Sequence, residues 1–185
     1  MYKRQCSTAA LISEKGAIEW LCFPEFDSPS VFAAILDRQK GGHFGFKVTS
    51  DYKVTQSYVP HTNILSTHFE SEEGAFDVVD FMPCYPTSDG KDFYRPAEIY
   101  RYIRWAKGRP RMKVDYRPAP NYARGKTIYN VTSQYVETYS SVENKDRQYL
   151  YSSLDLKKVV NHDEITLEKD EFFPVSYTHL RAHET

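Results

Sequence analysis

The sequence predicts an all-β protein, an antiparallel β-sandwich with one short helix near residues 30–37. Its composition favours strands, because 15 Tyr and 11 Phe occur among 185 residues and aromatic and β-branched side chains suit a pleated sheet. Its patterning agrees, since many short apolar segments alternate with polar residues and are separated by turn-forming residues at even spacing. A chain of this length has room for one domain.

The first elements are expected to be a hairpin and a short helix. Residues 8–12 and 18–23 are apolar runs on either side of a turn-like segment, which predicts two paired strands. Ser28 followed by Pro29 resembles a helix N-cap with proline in the first turn. One or two helical turns are therefore expected over residues 31–37, ending before a pair of glycines.

The remaining elements are expected to be strands. After the helix, apolar alternation predicts strands at residues 44–48, 52–58, 64–69 and 75–81. Residues 98–106 and 111–116 flank Lys107-Gly-Arg-Pro110, which predicts a second hairpin. Shorter strands are expected at residues 127–128, 134–139, 149–154, 157–160 and 164–167.

The two ends do not resemble natural protein sequence. Residues 175–185 match the translation of a common transposase-type sequencing adaptor, and Pro174 is encoded in part by the same element. Residues 1–5 match the reverse complement of that element, read from a GTG start. We therefore expect residues 1–5 and 174–185 to be adaptor-derived, which leaves residues 6–173 as the natural segment.

Composition argues against several classes of protein. The net charge is −1 with basic residues scattered, so no nucleic-acid partner is expected. No apolar run approaches the roughly 20 residues that a membrane-spanning helix needs, so no membrane partner is expected. Cys6, Cys22 and Cys84 are odd in number and lack Cys-x-x-Cys spacing, which argues against a disulfide framework and a zinc site. Buried thiols in a reducing compartment fit a cytoplasmic protein, and we expect neither a metal nor a cofactor.

Pairs of carboxylates are candidate catalytic groups, because glycoside hydrolysis uses two carboxyl groups. Asp77 and Asp80 are three residues apart on a predicted strand, so they are expected to point to opposite faces of the sheet. Glu70, Glu72 and Glu73 fall in a predicted turn and indicate a solvated charge run. No catalytic residue is therefore assigned to this chain.

The segment 16–30 is the densest in chemically useful side chains. Aromatic rings beside carboxylates and hydroxyls are typical of sugar binding, and Trp20, Phe26, Asp27 and Ser28 supply these groups. The alternative is that the aromatic residues of this segment belong to the core, and that Asp27 and Ser28 only cap the short helix.

This segment also carries a family resemblance. Residues 6–37 closely resemble the opening of bacterial and archaeal glycoside hydrolase family 15 proteins of the glucoamylase and trehalase kind. Further blocks agree in order, namely YVPHTNILST at 58–67, DFMP at 80–83, EIYR at 98–101 and PNYAR at 120–124. Departures are mild, with Ala17 and Glu19 for the commoner Ser and Asp, and Glu25 where Arg is usual.

The resemblance implies a trehalase-like N-terminal β-sandwich, followed in whole proteins by an (α/α)6 barrel. In the family, two glutamates of that barrel hydrolyse α-glucosidic bonds with inversion. Because the barrel would lie downstream of Phe173, the catalytic domain is expected to be missing and this fragment to be non-catalytic.

The partners that the resemblance implies are the intramolecular barrel and an α-glucoside, either trehalose or an α-1,4-glucan. Trp20, Phe26, Asp27 and Ser28 are expected to contact the barrel or rim its substrate pocket. Two alternatives stay open, a stand-alone carbohydrate-binding module and a purely structural β-sandwich.

Overall fold

The computed structural model describes residues 8–49, 51–142 and 146–176, and strands dominate them. The bounds are β1 Ala10–Ile12, β2 Ile18–Cys22, β3 Ser30–Phe32, β4 His43–Val48, β5 Lys53–Tyr58, β6 Leu65–Glu70, β7 Gly74–Phe81, β8 Tyr85–Pro86, β9 Phe93–Tyr94, β10 Glu98–Gly108, β11 Arg111–Arg117, β12 Thr127–Val131, β13 Val136–Ser140, β14 Gln148–Leu150, α1 Leu156–Asn161, β15 Glu164–Thr166 and β16 Glu171–Ser176.

Two antiparallel sheets contain most of these strands. Over the described ranges, the first is six-stranded with the order β1-β2-β4-β11-β15, and β3 also pairs with β2. The second is eight-stranded with the order β12-β13-β14-β16-β10-β7-β6-β5, while β8 and β9 pair only with each other. The predicted all-β, antiparallel architecture is confirmed.

The core lies between the two sheets and is built by strand alternation. Phe44 and Phe46 point inward from β4, and Phe173 points inward from β16 in the other sheet. Their ring centroids lie 6.1 Å apart for Phe44 and Phe173, and 5.9 Å apart for Phe46 and Phe173. Interdigitated aromatic rings therefore hold the two sheets together.

The core also encloses an ion pair. Arg101 of β10 is fully buried, and its Nε and Nη2 atoms donate to the two carboxylate oxygens of Asp80 on β7 at 2.7 and 3.0 Å. The same guanidinium donates to the carbonyl oxygens of Gly16 and Phe44, which belong to the six-stranded side. One buried side chain thus links the two sheets by hydrogen bonds.

The helix predicted near residues 30–37 is wrong. Ser30–Phe32 form a strand that pairs with β2, and residues 33–37 form a turn in which Leu36 and Asp37 N–H groups donate to the Ala33 carbonyl. Ser28 caps no helix here, because its hydroxyl accepts from the preceding Glu25 N–H. Pairing in the sheet buries this segment, whereas a helix of two turns is unstable by itself.

The short helix is found instead at Leu156–Asn161, where the sequence predicts a strand. The Asp155 carboxylate accepts from the Lys157 N–H at 2.9 Å, which satisfies a free donor of the first turn. His162 follows the helix in the left-handed conformation, with φ of 57°. Local capping and the burial of Val159 therefore outweigh the strand preference of its β-branched residues.

The predicted hairpin over residues 98–106 and 111–116 is also wrong. Both strands exist, but β10 pairs with β7 and β16, whereas β11 pairs with β4 and β15 in the other sheet. Gly108 permits the crossing with φ of 70°, and a Cβ there would lie 2.4 Å from the Glu73 carbonyl oxygen. The alternation of these two segments fits either arrangement, and their pairing with strands of different sheets decides that the connection crosses.

The last described strand includes part of the segment expected to be adaptor-derived. Val175 is fully buried in β16, where it pairs with Ile99 and Leu150. Residues 1–5 and 177–185 lie outside the described residues. The origin of both ends, and the division into residues 1–5, 6–173 and 174–185, stay predictions.

Candidate functional site

Three connections meet at one end of the six-stranded sheet and form a surface that we call the loop end. It comprises residues 23–29, 33–42 and 118–126. Backbone hydrogen bonds tie it together, from Ala119 N to Val31 O at 2.8 Å, from Tyr122 N to Ser30 O at 3.4 Å and from Ala33 N to Gly41 O at 2.7 Å. These bonds close the second loop and join the third loop to β3, and the Tyr122 hydroxyl, which donates to the Ser28 carbonyl at 3.4 Å, links the first loop to the third.

Three of the predicted site residues lie together on the first of these loops. Ser28 and Glu25 exchange two hydrogen bonds, Glu25 N to Ser28 Oγ and Ser28 N to Glu25 O, both at 3.1 Å. This tight turn presents Phe26, which is 60% exposed, and the exposed carboxylate of Asp27. An aromatic ring and a carboxylate are thus offered side by side on a turn fixed by the chain itself.

Trp20 lies apart from this turn. It is partly buried on β2, opposite the half-exposed Leu11 of β1. Within residues 8–49, 51–142 and 146–176, its ring makes no aromatic contact with Phe26. The neighbouring Phe23 is 1% exposed and belongs to the core, as the alternative interpretation of this segment expected.

The structure adds a residue that the sequence did not single out. Tyr122 donates its hydroxyl to the Ser28 carbonyl at 3.4 Å and is itself 43% exposed. It sits in a left-handed turn, because Asn121, Tyr122 and Ala123 have φ of 57°, 53° and 56°. The prolines and the glycine of residues 118–125 predict a bend from the sequence, but they do not indicate that the residues between them adopt the left-handed conformation.

Large apolar side chains are exposed on the same loops. Besides Phe26 and Tyr122, the turn after β3 exposes Ile35 and Leu36, the latter to 73%. Clusters of exposed large apolar groups are typical of surfaces that bind a partner rather than of surfaces that stay in contact with water. The loop end therefore combines the side chains that the sequence predicts for sugar binding with an exposed apolar surface.

A basic cleft of about 320 Å3 opens between the second and third loops. Its lining comprises Arg38, Gln39, Lys40, Gly42, His43, Arg117, Pro118, Ala119, Ala123, Gly125 and Thr127. Three of these side chains carry a permanent positive charge, and the lining includes no Asp or Glu. This part of the surface therefore favours a negatively charged ligand.

One buried carboxylate contacts two of the residues that line the cleft, His43 and Arg117. Asp115 is 2% exposed and contacts His43 Nε2 at 2.7 Å, Lys47 Nζ at 2.8 Å and Arg117 Nε at 2.6 Å. Burial by itself would raise the pKa of the Asp115 carboxyl, but the hydrogen bonds from His43, Lys47 and Arg117 together hold it far below its ordinary value. The carboxylate therefore stays ionised and holds the three side chains in place by hydrogen bonds.

The prediction that Asp77 and Asp80 face opposite ways is confirmed. Asp77 contacts His68 Nδ1 at 2.7 Å and Arg104 Nη2 at 2.8 Å on the outer face of the eight-stranded sheet. Asp80 lies in the core with Arg101. Each carboxylate is paired with cations, and the two do not converge on a common bond.

The described residues contain neither a metal-binding cluster nor a membrane-spanning helix. Among them, no group of three or more His, Cys, Asp or Glu side chains is placed to hold a metal ion. In the same residues, no helix is long and apolar enough to cross a membrane.

Comparison with known families identifies the domain. The sequence profile described as trehalase-like, N-terminal, matches residues 3–144. The chain belongs to the trehalase-like N-terminal family. The loop end of this trehalase-like domain lies within the matched residues. No solved structure gives a significant match to the chain.

Several curated trehalases are similar to this trehalase-like domain. Trehalase of Thermoplasma acidophilum is 33% identical over 155 residues, covering 82% of this chain and 26% of its own. Trehalase 1 of Sulfolobus acidocaldarius is 50% identical over 78 residues, 41% of this chain and 13% of its own. Trehalase of Mycolicibacterium smegmatis is 33% identical over 134 residues, 64% of this chain and 20% of its own. The matched region thus spans about a quarter or less of each relative's length.

Proposed function

We propose that this chain is the N-terminal accessory domain of a glycoside hydrolase that cleaves the α-glucosidic bond of trehalose. The family membership supports the accessory role, and the similar proteins named trehalase favour trehalose over the α-1,4-glucans that the family resemblance also allows. In the parent, two glutamates of an (α/α)6 barrel act with inversion, one as general acid and one as base. The fragment by itself does not catalyse this reaction.

The observation that carries the role of the loop end is its exposed aromatic and apolar surface. Large apolar groups are uncovered on three loops that hydrogen bonds connect through β3 and Tyr122, namely Phe26, Ile35, Leu36 and Tyr122. We assign this surface to the contact with the catalytic barrel, because burial of these groups on a partner is favourable. Trp20, beside the exposed Leu11 on β1, extends the contact along the sheet.

Phe26 and Asp27 rim the substrate pocket in this proposal. The Phe26 ring offers a flat apolar face for the C–H groups of a glucose unit, and the Asp27 carboxylate accepts hydrogen bonds from its hydroxyls. Ser28 holds the turn through its bond from the Glu25 N–H, so the two groups are positioned before substrate arrives. Free Cys22 and Cys84 fit a parent that works in a reducing, cytoplasmic compartment.

A matched pair of substitutions in the full-length parent tests the rim. Phe26→Ala removes an exposed ring from the loop end, whereas Phe93→Ala removes an equally accessible ring, 51% exposed, from the β8–β9 hairpin. We expect Phe26→Ala to lower kcat/KM for trehalose about ten-fold, equivalent to ~1.4 kcal/mol of transition-state stabilisation. Phe93→Ala should leave kcat/KM within about two-fold. Equal effects of the two substitutions would remove the rim assignment.

Titration of the chain with trehalose and with maltose separates the accessory domain from a stand-alone binding module. As an accessory domain it supplies only one wall of the pocket, so no saturable heat of binding is expected at millimolar sugar. A binding module would give saturable binding that Phe26→Ala abolishes and Phe93→Ala preserves. That second result would replace the accessory role by direct carbohydrate binding.

A further inference from the structure

The cationic groups of the basic cleft are poorly neutralised by the protein. Arg38 and Lys40 make no ion pair with any carboxylate of the described residues. The nearby Asp37 carboxylate forms no ion pair with these two side chains; its Oδ1 accepts from the backbone N–H groups of Gln39 and Lys40 at 2.8 and 3.0 Å, and it offsets the Lys40 charge only through space. Positive charge is therefore concentrated at this surface of a chain whose net charge is −1.

Arg117 contacts Asp115 through one of its three guanidinium nitrogens. Only its Nε donates to that carboxylate, at 2.6 Å, and among the described residues its Nη atoms have no hydrogen-bond partner. Asp115 is shared with His43 and Lys47, so it cannot neutralise the guanidinium fully. A planar guanidinium with free donors matches the oxygens of phosphate.

The walls of the cleft are built by backbone in an unusual conformation. Ala123 lines the cleft within the left-handed turn, and such a turn costs a non-glycine residue free energy. Gly42 lines the opposite side at φ of 72°, where a Cβ would lie 2.4 Å from the Arg117 carbonyl oxygen. Conformations of this kind persist where the surrounding structure holds them, and they are frequent at ligand clamps.

We propose that the basic cleft binds a phosphate group, either as inorganic phosphate or as the phosphate of a small sugar phosphate. Arg117 donates through its Nη atoms, while Arg38 and Lys40 close over the anion from the exposed side. The volume of about 320 Å3 lies at the lower end of small-ligand sites and admits a phosphorylated monosaccharide. The cleft opens between two loops of the loop end, but none of its lining residues belongs to the proposed pocket rim or to the exposed apolar groups assigned to the barrel contact, and its test does not depend on the proposed function.

Calorimetric titration of the whole chain with inorganic phosphate at low ionic strength tests the site. We expect saturable binding of one phosphate per chain. Arg38→Gln combined with Lys40→Gln should weaken it at least ten-fold without loss of folding, because both side chains are exposed and unpaired within the described ranges. Arg109→Gln is the matched control, since Arg109 pairs with Glu168 away from the cleft and should leave the affinity unchanged.

Further arms identify the source of the phosphate and the role of the guanidinium. Tighter binding of glucose 6-phosphate than of inorganic phosphate identifies a sugar phosphate, and the reverse order identifies free phosphate. Arg117→Lys keeps the charge but loses the fork, so an affinity below wild type with an unchanged melting temperature is expected. Absence of saturable binding, competition by chloride at equal concentration, or equal weakening by Arg109→Gln would each overturn the proposal.

Discussion

Replacing Arg101 with Met should destabilise this domain more than any other single exchange of a charged side chain. Arg101 is fully buried between the sheets, and Met fills a similar volume without the charge. The substitution removes both bonds to Asp80 and leaves that carboxylate, 3% exposed, without a cation. It also leaves the carbonyl oxygens of Gly16 and Phe44 without their donor.

The magnitude follows from these contacts. Removing one partner of a buried ion pair costs about 3–5 kcal/mol, because the other charge stays buried and uncompensated. The guanidinium also lies 4.9 Å from the Phe44 ring centroid and 5.0 Å from that of Phe46, which adds cation–π attraction. The free energy of unfolding of a small domain is roughly 5–15 kcal/mol, so the expected loss is a large share of the total stability.

Urea unfolding followed by tryptophan fluorescence measures the loss. With a slope of about 2 kcal/mol per molar urea, Arg101→Met should lower the midpoint by about 2 M. Adding Asp80→Leu to Arg101→Met should recover much of the deficit, because the uncompensated charge is then gone. Arg109→Met breaks an exposed pair with Glu168 and should cost less than about 1 kcal/mol. A midpoint for Arg101→Met equal to that of Arg109→Met would refute the reasoning.

Two further predictions concern residues in or beside the basic cleft. Asp115→Asn should lower the free energy of unfolding by about 2 kcal/mol at pH 7, because Asp115 accepts charge-assisted hydrogen bonds from His43 and Lys47. The pKa of Asp115 is depressed in the folded state, so the stability advantage of wild type over Asp115→Asn is complete above about pH 4 and shrinks as the pH falls further. The difference in free energy of unfolding between the two proteins should therefore be smaller at pH 3 than at pH 7. An equal difference at both pH values would contradict this. Ala123→Gly should raise the free energy of unfolding by about 1 kcal/mol, because glycine adopts φ of 56° without the Cβ clash. The control is Ala119→Gly, which lies outside the left-handed positions and should lower the free energy of unfolding. If urea titrations show changes of the same sign for both glycine variants, the left-handed turn is not strained.

The sequence allowed part of the candidate site to be predicted. Phe26, Asp27 and Ser28 lie close along the chain, so a single turn was enough to bring them together. Tyr122 and Arg117 reach the same end from a distant part of the chain, through backbone pairing of the third loop with Ser30 and Val31. Without an alignment, no local pattern indicates such a contact.

The identity of most strands and the direction of their side chains were determined by the sequence, because alternation with period two depends only on neighbouring residues, whereas the helix at Leu156–Asn161 was not predicted. It placed Asp77 and Asp80 on opposite faces, as the structure confirms.

The choice of the sheet that each strand joins was decided by tertiary structure. The strands around Gly108 show the same alternation whether they form a hairpin or cross to the other sheet. The same holds for the segment after Pro29, where the N-cap pattern is sound locally but pairing of β3 with β2 prevails. Long-range pairing and burial settle such cases, and their energy is not contained in any short stretch of residues.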